Sequence, residues 1–192
     1  MPPFSVLHVC MGNICRSPMA ERLLAHRVAE RAGDAAVVLS TSCGVGNWHV
    51  GEKMNRPAAR ELRSRGIDEA GFRARHLALE HLESADLILT ATQDQVDYIA
   101  AEYGHALERT FLLRHFGNIL EHIDPAELPG SDGSPSDVYA RGTAMVRLAD
   151  TRRDTGEALP LDDPWGESAA VFTRVADEID AALRPLVDRL LS

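Results

Sequence analysis

Short apolar runs alternate with longer stretches of helical spacing along most of this chain, and that rhythm constrains the fold more than any other feature. Phe4 to Cys10 is short and mostly apolar, as a strand buried on both faces would be. Ser17 then reads as an N-cap and Pro18 as the first helical position, with Ala20, Leu23, Leu24 and Val28 at helical spacing and Gly33 to end the helix. Ala36 to Leu39 reads as a second strand, and the stretch "NRPAARELRSRG" from Asn55 as a second helix. "DLILTA" from Asp86 and "RTFLL" from Arg109 read as two further strands, with "QDQVDYIAAEYG" as the helix between them. Connections of this length suit parallel crossovers, so the expected class is α/β in three layers: a four-stranded parallel sheet flanked by helices on both faces.

Beyond Phe116 the rhythm breaks. Asp124 to Asp137 is acidic and rich in turn formers, so a surface loop is expected, followed by a short helix from Val138 that Gly142 weakens. From Ser168 a long helix should carry Val171, Val175, Ile179, Leu183, Leu186, Val187 and Leu190 inward, with Pro185 kinking or restarting it. No repeat or firm linker divides the chain, so 1–192 is expected to be a single domain with an insertion at about 117–161. The net charge of -9 disfavours non-specific nucleic-acid binding but leaves room for a locally positive pocket. No apolar run is long enough to span a bilayer, and no secretory signal pattern is seen at the N-terminus. Cys10, Cys15 and Cys43 are an odd set without scaffold spacing, which points to reduced thiols in a cytoplasmic protein. Their spacing with His49 matches no usual zinc site.

The chemistry concentrates where the first strand meets the first helix, in "CMGNICRSP". Loops at the carboxyl ends of parallel strands are where open α/β sheets bind ligands. A tight loop feeding a helix N-terminus turns backbone N–H groups inward as an anion nest, and Gly12 and Asn13 tolerate the left-handed backbone such a curl needs. The helix dipole and Arg16 both favour the thiolate of Cys10. A thiolate over an anion cradle, beside the planar fork of Arg16, is arranged to attack phosphorus.

This loop resembles the active-site loop of low-molecular-weight protein tyrosine phosphatases, with the Cys-x5-Arg-Ser spacing from Cys10 to Ser17. "TSCGVGNWHVG", "ARHL", "DLILTATQDQV", "LLRHF" and "LDDPWG" resemble further segments of that family in the same order. The resemblance implies a flavodoxin-like, phosphotyrosine phosphatase I-like fold. It implies Cys10 as nucleophile through a phosphocysteine intermediate, and a phosphate-binding loop of Met11, Gly12, Asn13, Ile14, Cys15, Arg16 and Ser17. Ser17 would donate its hydroxyl to the thiolate, and Asn13 would shape the loop through side-chain bonds that include Ser42. Asp163 rather than Asp162 would protonate the leaving phenolate and then activate water, with Pro164 fixing the loop's approach. Trp48 and Trp165 would form the substrate rim. Cys15 is open to two readings, a core filler or a redox-protective partner that traps Cys10 as a reversible disulfide. Cys43 reads as a packed small residue and His49 as a surface or hydrogen-bonding one. No metal and no cofactor is implied; the implied partner is a phosphotyrosine-containing protein or a small aryl phosphate, and the oligomeric state stays open.

Three departures from the family pattern bear on substrate preference: Phe72 where the family often has histidine, Thr92 where aspartate is usual, and the single aromatic Trp165 after Asp-Pro. Two other functions compete. Arsenate reduction with an external thiol would use the same thiolate, but the Asp163 loop favours ester hydrolysis. A non-catalytic phosphate-binding or thiol-redox module would not need Cys10, Arg16 and Asp163 together.

Overall fold

The apolar N-terminal run forms β1 (Phe4–Cys10) in the computed structural model, which describes residues 2–33 and 35–192. β1 lies inside the sheet, paired in parallel with β2 (Val38–Gly44) and β3 (Leu87–Thr90). β3 pairs in parallel with β4 (Thr110–Leu112), giving the order β2-β1-β3-β4. The two-residue period of the strands then builds two cores. Phe4, Val6 and Cys10, with Leu87 and Leu89, enter the larger core. There they meet α1 (Arg16–Ala32), α2 (Arg56–Ser64), α5 (Leu113–Glu121), α6 (Pro135–Asp150) and α7 (Ala169–Leu190). Leu7, Val9 and Ile88 point the other way. They pack on Leu82 of α3 (Leu79–Glu83), Ile99 of α4 (Gln93–Glu102) and Ala106 of a 3-10 turn, Gly104–Arg109. The three-layer α/β expectation is met.

Several boundaries differ from the sequence reading. β2 starts at Val38 and runs on through the polar stretch to Gly44, because Ser42 and Cys43 are buried there rather than exposed. Thr110 to Leu113 is not one strand: β4 ends at Leu112 and α5 begins with the next residue, with no turn between them. Ser17 does not cap α1, which starts at Arg16 with Cys15 at the cap position; its hydroxyl is used elsewhere. The loop after Asp124 contains a 3-10 turn, Pro125–Glu127, and ends at Ser134, whose Oγ accepts from Asp137 N–H as α6 begins. Gly142 sits inside α6 because a Cβ there would lie 2.4 Å from the Phe4 ring of β1, so the helix gives up propensity to approach the sheet. α7 runs through Pro185 without ending, and its predicted stripe is buried apart from the half-buried Val171. Among the described residues no helix is long and apolar enough to cross a membrane.

Candidate active site

The loop from Cys10 to Arg16 leaves the carboxyl end of β1 and is fastened on both sides. Cys10 and Met11 carbonyls accept from Val45 and Gly46 N–H at 3.0 and 2.8 Å, and the Ile14 carbonyl accepts from Asn55 N–H at 2.8 Å. Gly44, opposite Cys10 in the register, allows this approach: a Cβ there would lie 2.8 Å from Met11 O and 2.9 Å from Asn13 N. Asn13 is the only non-glycine with positive φ among the described residues, at 55°. Its side chain explains how a left-handed residue is held there. Asn13 Oδ1 accepts from Arg75 N–H at 2.8 Å, which fixes the amide's orientation, and Nδ2 donates to Ser17 Oγ and Ser42 Oγ, both at 2.9 Å.

From this buried amide a chain of hydrogen bonds runs both ways. Ser17 Oγ lies 3.0 Å from Cys10 Sγ. Because that oxygen accepts from Asn13, its own proton is free to point at the sulfur or at the Cys43 carbonyl, 3.3 Å away. Asn13 N–H also donates to Cys10 Sγ, at 3.3 Å. In the other direction Ser42 Oγ donates to Glu21 Oε2 at 2.6 Å, and Arg75 donates to the Ser42 carbonyl through Nη2 and Nε at 2.8 and 3.2 Å. Burial raises the Glu21 carboxyl above its ordinary range, with the Ser42 bond opposing that shift. Burial, reinforced by Cys10 and Asp163 and opposed by Arg16, pushes the Cys15 thiol up to about 12. Burial raises the Cys43 thiol too, so Cys15 and Cys43 both stay protonated near neutral pH.

The last loop before α7 comes to the same place. Leu161 N–H donates to the carbonyl of Ala91, just past β3, at 2.8 Å, and the Leu161 carbonyl accepts from Arg16 Nη1 at 3.3 Å. Asp163 Oδ2 then meets Arg16 Nη2 at 2.9 Å, while Asp163 Oδ1 accepts from Trp165 N–H at 3.2 Å. Asp162 turns outward to Arg174 on α7, at 2.8 Å. Arg16 is 5% exposed, and its Nε is buried without a partner. Cys10, Met11, Gly12, Ile14, Cys15, Arg16, Trp48, His49, Asp163 and Trp165 line one cavity of about 220 Å³. The indoles of Trp48 and Trp165 are 60% and 63% exposed, which places them at its mouth.

A sequence profile described as "Low molecular weight phosphotyrosine protein phosphatase" matches residues 5–131. The chain belongs to the low-molecular-weight protein-tyrosine phosphatase family. It is 36% identical over 187 residues to "Low molecular weight protein-tyrosine phosphatase A" of Mycobacterium tuberculosis (strain ATCC 25618 / H37Rv), covering 97% of this chain and 91% of that protein. It is 30% identical over 153 residues to a "Protein-arginine-phosphatase" of Geobacillus stearothermophilus, covering 80% of this chain and 90% of that one. The fold is shared with the tyrosine phosphatase Wzb from Escherichia coli K30, solved in complex with sulphate. The TM-score is 0.69 at 21% identity, with 97% of this chain and 98% of that chain covered.

Within this phosphatase family member, every residue expected at the loop, the acid position and the rim lines the one cavity except Asn13 and Ser17, which lie behind it and bond to what does. His49, expected as a surface or hydrogen-bonding residue, lines it as well, and its Nδ1 lies 2.8 Å from Glu52 Oε2. Glu21 and Arg75 were not expected in the loop's support. Their signal is weak: Arg75 lies in the quoted "ARHL" segment and Glu21 in the helix just after the loop, but both reach Ser42 only through tertiary contact. Phe72 is buried in the larger core, and Thr92 stands at the N-cap of α4, its N–H donating to Gln95 Oε1 at 2.8 Å.

Proposed function

We propose that this enzyme hydrolyses phosphotyrosine or similar aryl phosphate monoesters through a phosphocysteine intermediate, with Cys10 as nucleophile and Asp163 as general acid. The observation that carries this reading is the meeting of Cys10, Arg16 and Asp163 at one cavity, the last two 147 residues apart in sequence. Arg16 and the amides of Met11 through Ser17 hold the three non-bridging oxygens, and the orphaned Arg16 Nε is a further donor for them. The Cys10 thiolate attacks phosphorus; the S–P bond forms as the P–O bond to the aryl group breaks. Asp163, in its acid form, gives its proton to the departing phenolate. As a carboxylate it then takes a proton from water, whose oxygen attacks phosphorus. The S–P bond breaks, inorganic phosphate leaves and the thiolate returns, eased by the Ser17 hydroxyl at 3.0 Å. Trp48 and Trp165 supply apolar faces for the aryl ring.

The name of the Geobacillus relative raises phosphoarginine as a second substrate class. The walls here favour an aryl group: Ile14, Met11 and two indoles surround the opening, and the single lining carboxylate, Asp163, is committed to Arg16. A leaving guanidinium group would gain little from apolar walls with no spare carboxylate. Cys15 is the proposed guard of the nucleophile: peroxide oxidises the Cys10 thiolate to a sulfenic acid, and the Cys15 thiol condenses with it to a disulfide, releasing water. We assign the whole of 1–192 to one catalytic domain carrying the 117–161 insertion, and the free thiols suit a cytoplasmic setting. The test is turnover of a chromogenic aryl phosphate, a phosphotyrosine peptide and a phosphoarginine peptide, with arsenate plus an added thiol as the rival assay. Hydrolysis of the first two well above the third is expected. Arsenate reduction without ester hydrolysis overturns the reading.

A further inference from the structure

We propose that the cavity beside the catalytic one is a docking site for acidic side chains flanking the phosphorylated residue of a protein substrate, an inference that rests on the phosphatase reading above. This cavity, about 610 Å³, is lined by four cations, Lys53, Arg56, Arg63 and Arg73, and by two carboxylates, Glu52 and Glu69. Both carboxylates are engaged: Glu69 pairs with Arg63, and Glu52 with the His49 ring at 2.8 Å. Lys53, Arg56 and Arg73 therefore keep their charge with no carboxylate partner among the described residues. In a chain of net charge -9, three uncompensated cations around one concave surface form a local positive site.

Its position ties it to the reaction. Ile14 and His49 line the catalytic cavity. Asn55 and Glu52 line the neighbouring one, and they bond to Ile14 and His49 respectively at 2.8 Å each. The two cavities thus share a wall, and an extended substrate chain with its phosphate in the first passes over the second within a few residues. The floor includes Met54, Ala59 and Phe72, which suits the methylenes of Asp or Glu while the cations take the carboxylate. Phe72, where the family often has histidine, belongs to this floor and not to the loop network.

The experiment compares kcat/KM for phosphotyrosine peptides carrying Glu, Ala or Lys at positions scanned along both flanks. Each is assayed with wild type and with the Lys53→Glu/Arg56→Glu double variant. Both changes are on exposed residues, and Glu at the start of α2 is compatible with the helix dipole. Wild type is expected to favour Glu over Ala on one flank by about threefold to tenfold, with the preference shrinking at high salt. The double variant should lose or invert that preference while turning over a small aryl phosphate at the wild-type rate. Equal rates for all flanks in wild type, or an acidic preference retained by the double variant, overturns the docking site. Failure of wild type to hydrolyse even the small aryl phosphate overturns the phosphatase reading, and the docking site falls with it.

Discussion

Asp163 Oδ2 stands 2.9 Å from Arg16 Nη2, so the proposed proton donor is bonded to the residue proposed to hold the phosphoryl oxygens. The pair is asymmetric, because the Arg16 side chain is 6% exposed and that of Asp163 is 53% exposed. Its net worth to stability is small, since a half-exposed carboxylate is well screened. Its value is positional: it brings the loop before α7 over the mouth of the first loop and makes Asp163 a competitor for Arg16 against any incoming anion.

Replacing Asp163 by Asn tests both roles. Loss of the proton donor should lower kcat by about 10²–10⁴-fold for phenols that leave poorly, and far less for acidic phenols that need no proton. Inorganic phosphate should inhibit the variant more strongly than wild type, because the neutral amide competes less well for Arg16. Steady-state kinetics over a series of aryl phosphates, with phosphate as inhibitor, reads both effects.

Asn13 combines a positive φ of 55° with side-chain bonds to Ser17, Ser42 and Arg75. Asn13→Ala should destabilise the protein by about 1–3 kcal/mol and lower kcat, since the bonds are lost and the left-handed strain stays. Asn13→Gly removes that strain and should recover part of the stability with little of the rate. Chemical denaturation alongside aryl phosphate turnover separates the two.

How far the sequence revealed the site depended on whether a residue's role is local. Cys10, Arg16 and Ser17 lie on one loop and one helical turn, so their spacing alone implied an anion cradle. Asp163 needed the family resemblance, because nothing near it in sequence shows that Leu161 bonds to Ala91 and so carries the loop to the carboxyl end of the inner strand β3. Glu21 and Arg75 were out of reach for a similar reason: their partner Ser42 lies in the polar half of β2, which does not read as a strand. α5 was missed because β4 passes into it at Leu113 without any turn residue.

The buried His8 ring of β1 lies with Nε2 3.2 Å from Ser40 Oγ and with Nδ1 unpartnered. Burial lowers it from 6.5 to about 3. The unfolded chain therefore takes up a proton first as pH falls, so the stability present above pH 6.5 is lost progressively toward pH 3. The slope from this group is up to about 1.4 kcal/mol per pH unit. The raised Glu21 carboxyl acts with the opposite sign above its unfolded value of 4.5, and softens the slope there. Urea denaturation across this range should show a shallower acid limb for His8→Gln, which keeps a donor toward Ser40 but does not titrate.

Gly142→Ala improves helix propensity by about 1 kcal/mol and should nonetheless destabilise the protein. The added methyl meets the Phe4 ring at 2.4 Å, an overpacking cost of about 1–3 kcal/mol. Phe4→Leu in the same chain should make the two changes less than additive, which thermal unfolding of the single and double variants measures.

The most direct test of the account is acid-quenched turnover of an aryl phosphate by the Asp163→Asn variant, followed by mass analysis of the digested protein. One phosphoryl group is expected on the peptide carrying Cys10, held by sulfur and absent from a Cys10→Ser/Asp163→Asn protein. With Asp163 intact, Cys10→Ser should be at least about 10³-fold slower in turnover. Phosphate trapped on another residue, or full hydrolysis by Cys10→Ser, would contradict it.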